Sequence, residues 1–256
     1  MRSNKARAHA SRRPHAEAAP RQPKQASELY VPGGTVPSAV HTNQSLQPAL
    51  AAALQTLGLP LAADQQSALL DYLGLLQKWN RTYNLTAVRD AEAMLRLHLV
   101  DSLAALPPLL RHTAGQPTRL MDVGSGGGLP GIAFAIAAPQ LAVTCVDTVE
   151  KKARFIAQVG AELGLKNLRA EHSRVEELQA EPFAVITSRA FASLVDFVQL
   201  TRSLLAPGGV WMALKGQHPA DEIAALPADI EVFHVEQLEV PGLDAQRCIV
   251  WMRPRG

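Results

Sequence analysis

Apolar residues recur at helical spacing from Leu46, through Leu50, Leu54 and Leu57, and Gly58 ends the run. A second helical stretch, capped by Asp64 and reaching about Trp79, turns Leu69, Leu70, Leu73 and Leu76 to one side. A polar loop at 80–89 follows. Asp90 then caps a third helix running to about Leu106, where Pro107-Pro108 are expected to stop it. After Gln116-Pro117 the pattern changes. Short apolar runs at 118–123, 141–147, 168–171, 183–187 and 210–215 read as strands. Helical stretches at 130–138, 150–163 and 194–205 lie among them, and 230–240 with 248–252 reads as a closing hairpin. Alternation of this kind predicts an α/β fold, a mostly parallel sheet with helices on both faces. Residues 45–116 form a small N-terminal helical cap in this reading, and residues 117–256 form the core.

Composition narrows the class. The chain has 256 residues, 47% hydrophobic and 19% charged, which suits a globular protein with a sizeable core. No apolar run approaches the roughly 18 residues of a membrane-spanning helix. The two cysteines, Cys145 and Cys248, form no Cys-x-x-Cys pair, which argues against zinc ribbons and disulfide scaffolds and fits a reducing cytoplasm. The net charge of +2 hides a split. Residues 1–44 carry seven Lys/Arg against two acids, and the remainder carries 18 basic against 21 acidic residues. The first segment, without apolar periodicity, reads as a disordered basic tail with no secretory apolar region. The body is acidic, so any nucleic-acid contact has to use a local basic patch.

The strongest chemical signal is Asp122-Val123-Gly124-Ser125-Gly126-Gly127-Gly128-Leu129-Pro130-Gly131, a strand running into a glycine loop that opens a helix. Glycines permit a sharp turn and a close approach to a ligand. The helix start is expected to offer N–H groups to a negative group. Two cofactor classes fit. Residues 126–131 match G-x-G-x-x-G, the dinucleotide pattern. Gly124, Gly126 and Gly128 match G-x-G-x-G, with Asp122 two residues before. Asp122 favours the second class: it can pair with the ammonium of S-adenosylmethionine and would repel a pyrophosphate. Asp147, at the end of the second strand, is expected to accept both ribose hydroxyls. A nicotinamide dehydrogenase also lacks its Tyr-x-x-x-Lys pair, since Tyr30, Tyr72 and Tyr83 are followed at that spacing by Gly34, Leu76 and Ala87.

The loop with Asp147 resembles the class I methyltransferase pattern, a Rossmann-like seven-stranded sheet. The stretches at 78–87 (KWNRTYNLTA), 98–102 (HLVDS), 173–177 (SRVEE), 188–193 (SRAFAS) and 214–216 (LKG) narrow the resemblance. They are similar to the bacterial 16S rRNA guanine-N7 methyltransferase family, also called the glucose-inhibited division protein B family, over about 46–254. The resemblance implies S-adenosylmethionine as cofactor and 16S rRNA or the small subunit as partner, with no metal, no membrane and a monomeric enzyme. Position by position it implies cofactor contacts at Gly124, Leu129, Val175, Glu176 and Arg189.

By this resemblance the acceptor is N7 of a guanine, whose lone pair carries no proton. No general base is required, no catalytic residue is assigned, and alignment of the reactants carries the catalysis. The segment after the fourth strand is not the Asn/Asp-Pro-Pro-Tyr box of exocyclic-amine methylation. Cys145 and Cys248 read as packing thiols, not as the nucleophile of a cytosine-C5 enzyme. Asn84, Arg189 and Lys215 are the candidate substrate contacts. Phe191 could stack on a flipped base but reads more readily as core. His98 reads as structural, with Asp101 and Ser102 within reach to bond it. Thr86 is a loop candidate beside Asn84, Trp79 a core anchor, and Lys151, Lys152 and Arg154 a solvated face that could rim the cleft.

Overall fold

The computed structural model describes residues 39–189, 191 and 193–255, with side chains from Ser45 onward. The tail read over 1–44 lies outside the described residues up to position 38. Residues 39–44 belong instead to the first helix, α1 (Ala39–Thr56), which runs through Pro48 and starts before its first leucine. Helix α2 (Ala63–Tyr83) follows. Asp64 lies inside its first turn and is not the cap: the side chain of Gln65 reaches back to accept from the N–H of Ala62. The expected third helix is broken into α3 (Ala91–Met94), a π-helical turn (Leu95–Val100) and α4 (Asp101–Leu103). Asp90 caps α3 by accepting from Ala93 N at 2.8 Å. Pro107 and Pro108 do not stop a helix. They occupy the first positions of α5 (Leu106–His112), where a missing N–H leaves no bond unmade. The stretch Ala91–His112 is long and apolar enough to cross a membrane by length and composition, and most of it is buried inside the protein.

The sheet has seven strands: β1 (Thr118–Val123), β2 (Leu141–Asp147), β3 (Leu168–His172), β4 (Phe183–Ser188), β5 (Leu205–Lys215), β6 (Ile230–Leu238) and β7 (Arg247–Pro254). Their order is β3-β2-β1-β4-β5-β7-β6. Strand β7 runs antiparallel to both β5 and β6, and the other neighbouring pairs are parallel. Helices α6 (Gly131–Ala137), α7 (Glu150–Glu162), α8 (Leu194–Thr201) and the short α9 (Ala220–Ala224) connect the strands. Strand β5 begins five residues before the expected start. It passes through Pro207-Gly208-Gly209 with a register shift against β4.

Both sheet faces are covered. Leu120, Val185, Val210, Met212, Leu214, Ile249 and Trp251 join one apolar cluster, and Met121, Ile186, Trp211, Ala213, Val250 and Met252 join the other. This strict alternation along buried strands is what a sheet between two helical layers requires. The cap belongs to the first cluster. Leu46, Leu50, Leu69 and Leu76 pack with Phe134, Phe155 and the sheet, so α1 and α2 form a layer of one compact unit. Trp79 fixes this layer, its ring 5.4 Å from that of Phe155 on α7.

The order reverses between β1 and β4. From β1 the chain winds outward to β3, then crosses back to β4 on the other side. Ligands of open α/β sheets bind at such a switch point, beyond the carboxyl ends of the strands.

Candidate functional site

Two cavities open along the carboxyl edge of the sheet. The first, of about 390 Å³, sits over β1–β3. Its walls include Val123, Gly124, Val146, Asp147, Val175, Glu176 and Phe191. The second, of about 370 Å³, sits over β4, β5, β7 and the end of β6. It is lined by His98, Asp101, Arg189, Lys215, Arg247 and Cys248, among others. Both volumes fall within the roughly 300–1,000 Å³ of small-molecule sites.

The glycine loop is held from every side. The N–H groups of Gly124 and Ser125 donate to Val146 O, and that of Gly126 donates to Asp147 Oδ2 at 2.9 Å. Behind the loop, Tyr72 of α2 donates its hydroxyl to Gly127 O at 2.7 Å. Tyr72 is fully buried and burial raises its pKa well above the ordinary value, so it stays a donor. The helical cap thus backs the loop. Nothing in the sequence marked Tyr72, because among Leu69, Leu73 and Leu76 it reads as one more core position.

The glycines divide by role. Gly124, at φ +70°, has open space where a Cβ would stand and lines the first cavity. Gly128, at φ +86°, is a packing position: a Cβ there would lie 2.2 Å from Ile132 Cδ1 and 2.7 Å from Ile132 Cγ1. Gly128 and Leu129, expected at the cofactor, lie outside the cavity lining, and Leu129 is buried. Gly126 also lies outside it and acts through its bond to Asp147. Gly128→Ala is therefore expected to cost about 2–5 kcal/mol of stability from overpacking and backbone strain. Urea unfolding checks this, and a cost below the measurement error would remove Gly128 from the packing role.

Asp122 is placed differently from the expectation. It is fully buried beneath the loop, outside both cavities. Its Oδ2 accepts from Gly131 N at 2.9 Å, so the first N–H of α6 goes to this carboxylate and not to a ligand. Its Oδ1 has no hydrogen-bond partner. Burial raises the Asp122 carboxyl from its ordinary value to about 7, against the lowering effects of the Gly131 N–H and of Arg189. The folded protein thus holds this proton more tightly than the unfolded chain. The stability it contributes is complete below about pH 4, declines as pH rises, and is gone above about pH 7. Relative to Asp122→Asn, the wild type should lose on the order of 4 kcal/mol across that window. Melting curves of both proteins from pH 4 to 8 test it, and a constant difference would refute it.

Asp147 lines the first cavity and is 5% exposed. Its Oδ2 holds the Gly126 N–H, and its Oδ1 holds the N–H of Val149 at the start of α7. Each carboxylate oxygen keeps a second lone pair, so capping the helix and accepting ribose hydroxyls are compatible. Lys152 Nζ lies 3.8 Å away and also lines the cavity. Arg154 pairs with Glu150 and Lys151 is exposed, so of these three only Lys152 rims the cavity, together with Arg174. The apolar walls, with the carboxylates of Asp147 and Glu176, fit a nucleoside with its ribose, as S-adenosylmethionine carries.

The second cavity brings together Arg189, Lys215 and Arg247. Arg189, which follows β4, lines this cavity and not the first one. Lys215 Nζ bonds Glu222 at 2.8 and 3.1 Å and Phe191 O at 3.4 Å. Arg247, overlooked in the sequence, arrives because Lys215 of β5 pairs with Cys248 of β7. Phe191 packs on Phe197, with ring centroids 5.3 Å apart, at the wall of the first cavity. Asn84 reaches neither cavity. It ends α2 in the left-handed region, φ 50°, and accepts from Arg89. His98 Nε2 lies 2.6 Å from Thr86 Oγ1, and burial together with Arg189 lowers its pKa, so it is neutral. Asp101 and Ser102 do not bond its ring: Ser102 Oγ donates to His98 O, and Asp101 binds arginines. Cys145 is buried with a raised pKa, and Cys248 donates weakly to Gln217 O.

A family model described as rRNA small subunit methyltransferase G (GidB) matches residues 65–250. The chain is 64% identical over 206 residues to the Ribosomal RNA small subunit methyltransferase G of Leptothrix cholodnii, covering 80% of this chain and 94% of that protein. It is 60% identical over 223 residues to the protein of the same name from Acidovorax ebreus, covering 84% and 98% respectively. Among solved structures, a Burkholderia thailandensis 1,6-didemethyltoxoflavin-N1-methyltransferase is similar at 18% identity and TM-score 0.49, covering 77% of this chain and 92% of that one.

Proposed function

From the premise that this chain belongs to the rRNA small subunit methyltransferase G family, we propose that it methylates N7 of a guanine in 16S rRNA, with S-adenosylmethionine as donor. One observation carries the reading beyond the family. The two cavities lie along one sheet edge on either side of the switch point between β1 and β4, the first with walls that suit a nucleoside and the second with Arg189, Lys215 and Arg247. When bound, S-adenosylmethionine supplies an electrophilic methyl group.

The residues then divide the work. Gly124 leaves space for the donor, Asp147 accepts hydroxyls, and Val175 with Glu176 walls the base. Arg189, Lys215 and Arg247 attract and orient an anionic acceptor. Guanine N7 loses no proton, and this suits a second cavity whose histidine is neutral and tied to Thr86. Catalysis is orientation of the two reactants. A single chain carries both halves of the site, so the proposal takes the enzyme as a monomer, working in the cytoplasm where its acceptor is assembled.

The test is methyl transfer from labelled S-adenosylmethionine to 16S rRNA and to small subunits lacking the modification, with the product nucleoside identified. Label in 7-methylguanosine is the expected result. Label in a different nucleoside would replace the acceptor atom, and no label on either acceptor would remove the rRNA reading.

A further inference from the structure

We propose that Asp101 is a positioning residue, which holds Arg189 and Arg247 as a preset pair for the phosphate-bearing acceptor. The inference rests on the reading of the second cavity as the acceptor site. Asp101 starts α4, directly after the π-helical turn, and its side chain is 8% exposed. Its Oδ1 accepts from Arg247 Nε at 2.7 Å, and its Oδ2 lies 3.5 Å from Arg189 Nη1. The two arginines come from distant parts of the chain, one from the start of β7 and one from the loop after β4, and both line the cavity.

The stoichiometry of charge is informative. One carboxylate stands between two guanidinium groups, which leaves an excess positive charge in the cleft. Lys215 adds little to this excess, because Glu222 holds it. His98 is neutral. A guanidinium carries five N–H donors. The Arg247 contacts to Asp101 Oδ1 and to Gln246 O engage its Nε and Nη1 and leave donor capacity for a ligand. Each arginine side chain is 27% exposed, so water screens part of its attraction to the buried carboxylate. What the arrangement does supply is order. Without Asp101 each arginine would have to give up rotamer freedom on binding. Alignment of the guanine with the donor would also loosen.

The experiment uses the full chain, labelled S-adenosylmethionine and small subunits lacking the modification, each reactant varied in turn. Asp101→Asn is expected to lower kcat/KM for the subunits by about tenfold or more, with the cofactor KM within about twofold of wild type. Asp101→Glu should recover most of the loss. Arg247→Lys keeps the charge but removes the Nε fork, and should reproduce the Asp101→Asn loss. In the Arg247→Lys background, Asp101→Asn should cost little more, because the two act as a unit. Should Asp101→Asn fail to fold, Arg247→Lys, on a partly exposed side chain, carries the test. Wild-type kinetics in either variant, alongside an active parent, would overturn the proposal. So would a parallel rise in cofactor KM with a lowered Tm, the signature of a scaffold role. An inactive parent would overturn the acceptor reading itself.

Discussion

Gly124→Val is expected to weaken S-adenosylmethionine binding by roughly 100-fold or more, on a chain that still folds. Two separate effects meet at this residue. Its φ of +70° lies in the left-handed region, where a β-branched side chain is strained. That strain acts on the free protein and costs about 1–3 kcal/mol of stability. The loss of affinity has a different origin. A Cβ at 124 meets no protein atom within 4 Å, because the space beside it belongs to the first cavity. The valine methyls would therefore displace ligand and leave the core untouched. Gly124→Ala shares the strain with less occlusion, and should lose affinity by a smaller factor. Calorimetric titration with the cofactor, alongside urea unfolding, separates the two effects. Unchanged affinity in Gly124→Val would show that the cofactor does not pass this residue. The comparison with Gly128→Ala is the internal control: there the Cβ strikes Ile132, so stability should fall more than affinity.

The same loop shows how far a sequence can be read. Strands β1 and β2 follow the expected bounds because residues buried on both faces give continuous apolar runs. The glycine pattern points to the cavity over β1–β3, but does not separate a glycine that borders open space from one that admits a neighbouring side chain. Gly124 and Gly128 have the same sequence signature, and the side chains of Ile132 and Ile156 distinguish them. Asp122 was read as a ligand contact because an acid before a glycine turn can serve either purpose. Its burial under α6, where it caps Gly131, depends on how the helix returns over the strand. Arg247 was invisible for a topological reason. It enters the cleft through antiparallel pairing of β7 with β5, and pairing leaves no local mark. Pro107-Pro108 read as a stop, though the same residues suit a helix start, and the buried Leu106 and Leu109 decide between them.

Arg189→Ala is expected to lower turnover on small subunits by roughly 100-fold while the fold survives. Survival follows from its surroundings. Arg189 lies 3.5 Å from both Asp101 Oδ2 and Leu97 O, long contacts of modest strength, and Arg247 at 2.7 Å keeps the buried carboxylate paired when Arg189 is gone. The expected loss follows from position. Arg189 directly follows Ser188, which is pinned by its hydroxyl to Val123 O on β1, so the guanidinium departs from the switch point that lies between the two cavities. An acceptor gripped there is registered against the donor half. Removing the grip lets the guanine sample orientations in which N7 and the methyl group are misaligned. The two candidate roles of Arg189 give different kinetics. As an acceptor contact, its loss lowers kcat/KM for subunits and moves cofactor affinity by less than about fivefold. As a cofactor contact, its loss raises the cofactor dissociation constant as steeply as it lowers turnover. Because Arg189 lines the second cavity and not the first, the first pattern is the expected one. Arg189→Lys should rescue little of it, since a single ammonium cannot keep both the Asp101 contact and the fork toward a phosphate or a base. Cofactor titration and subunit kinetics on the same preparations decide the matter, and wild-type turnover in Arg189→Ala would take the residue out of the site.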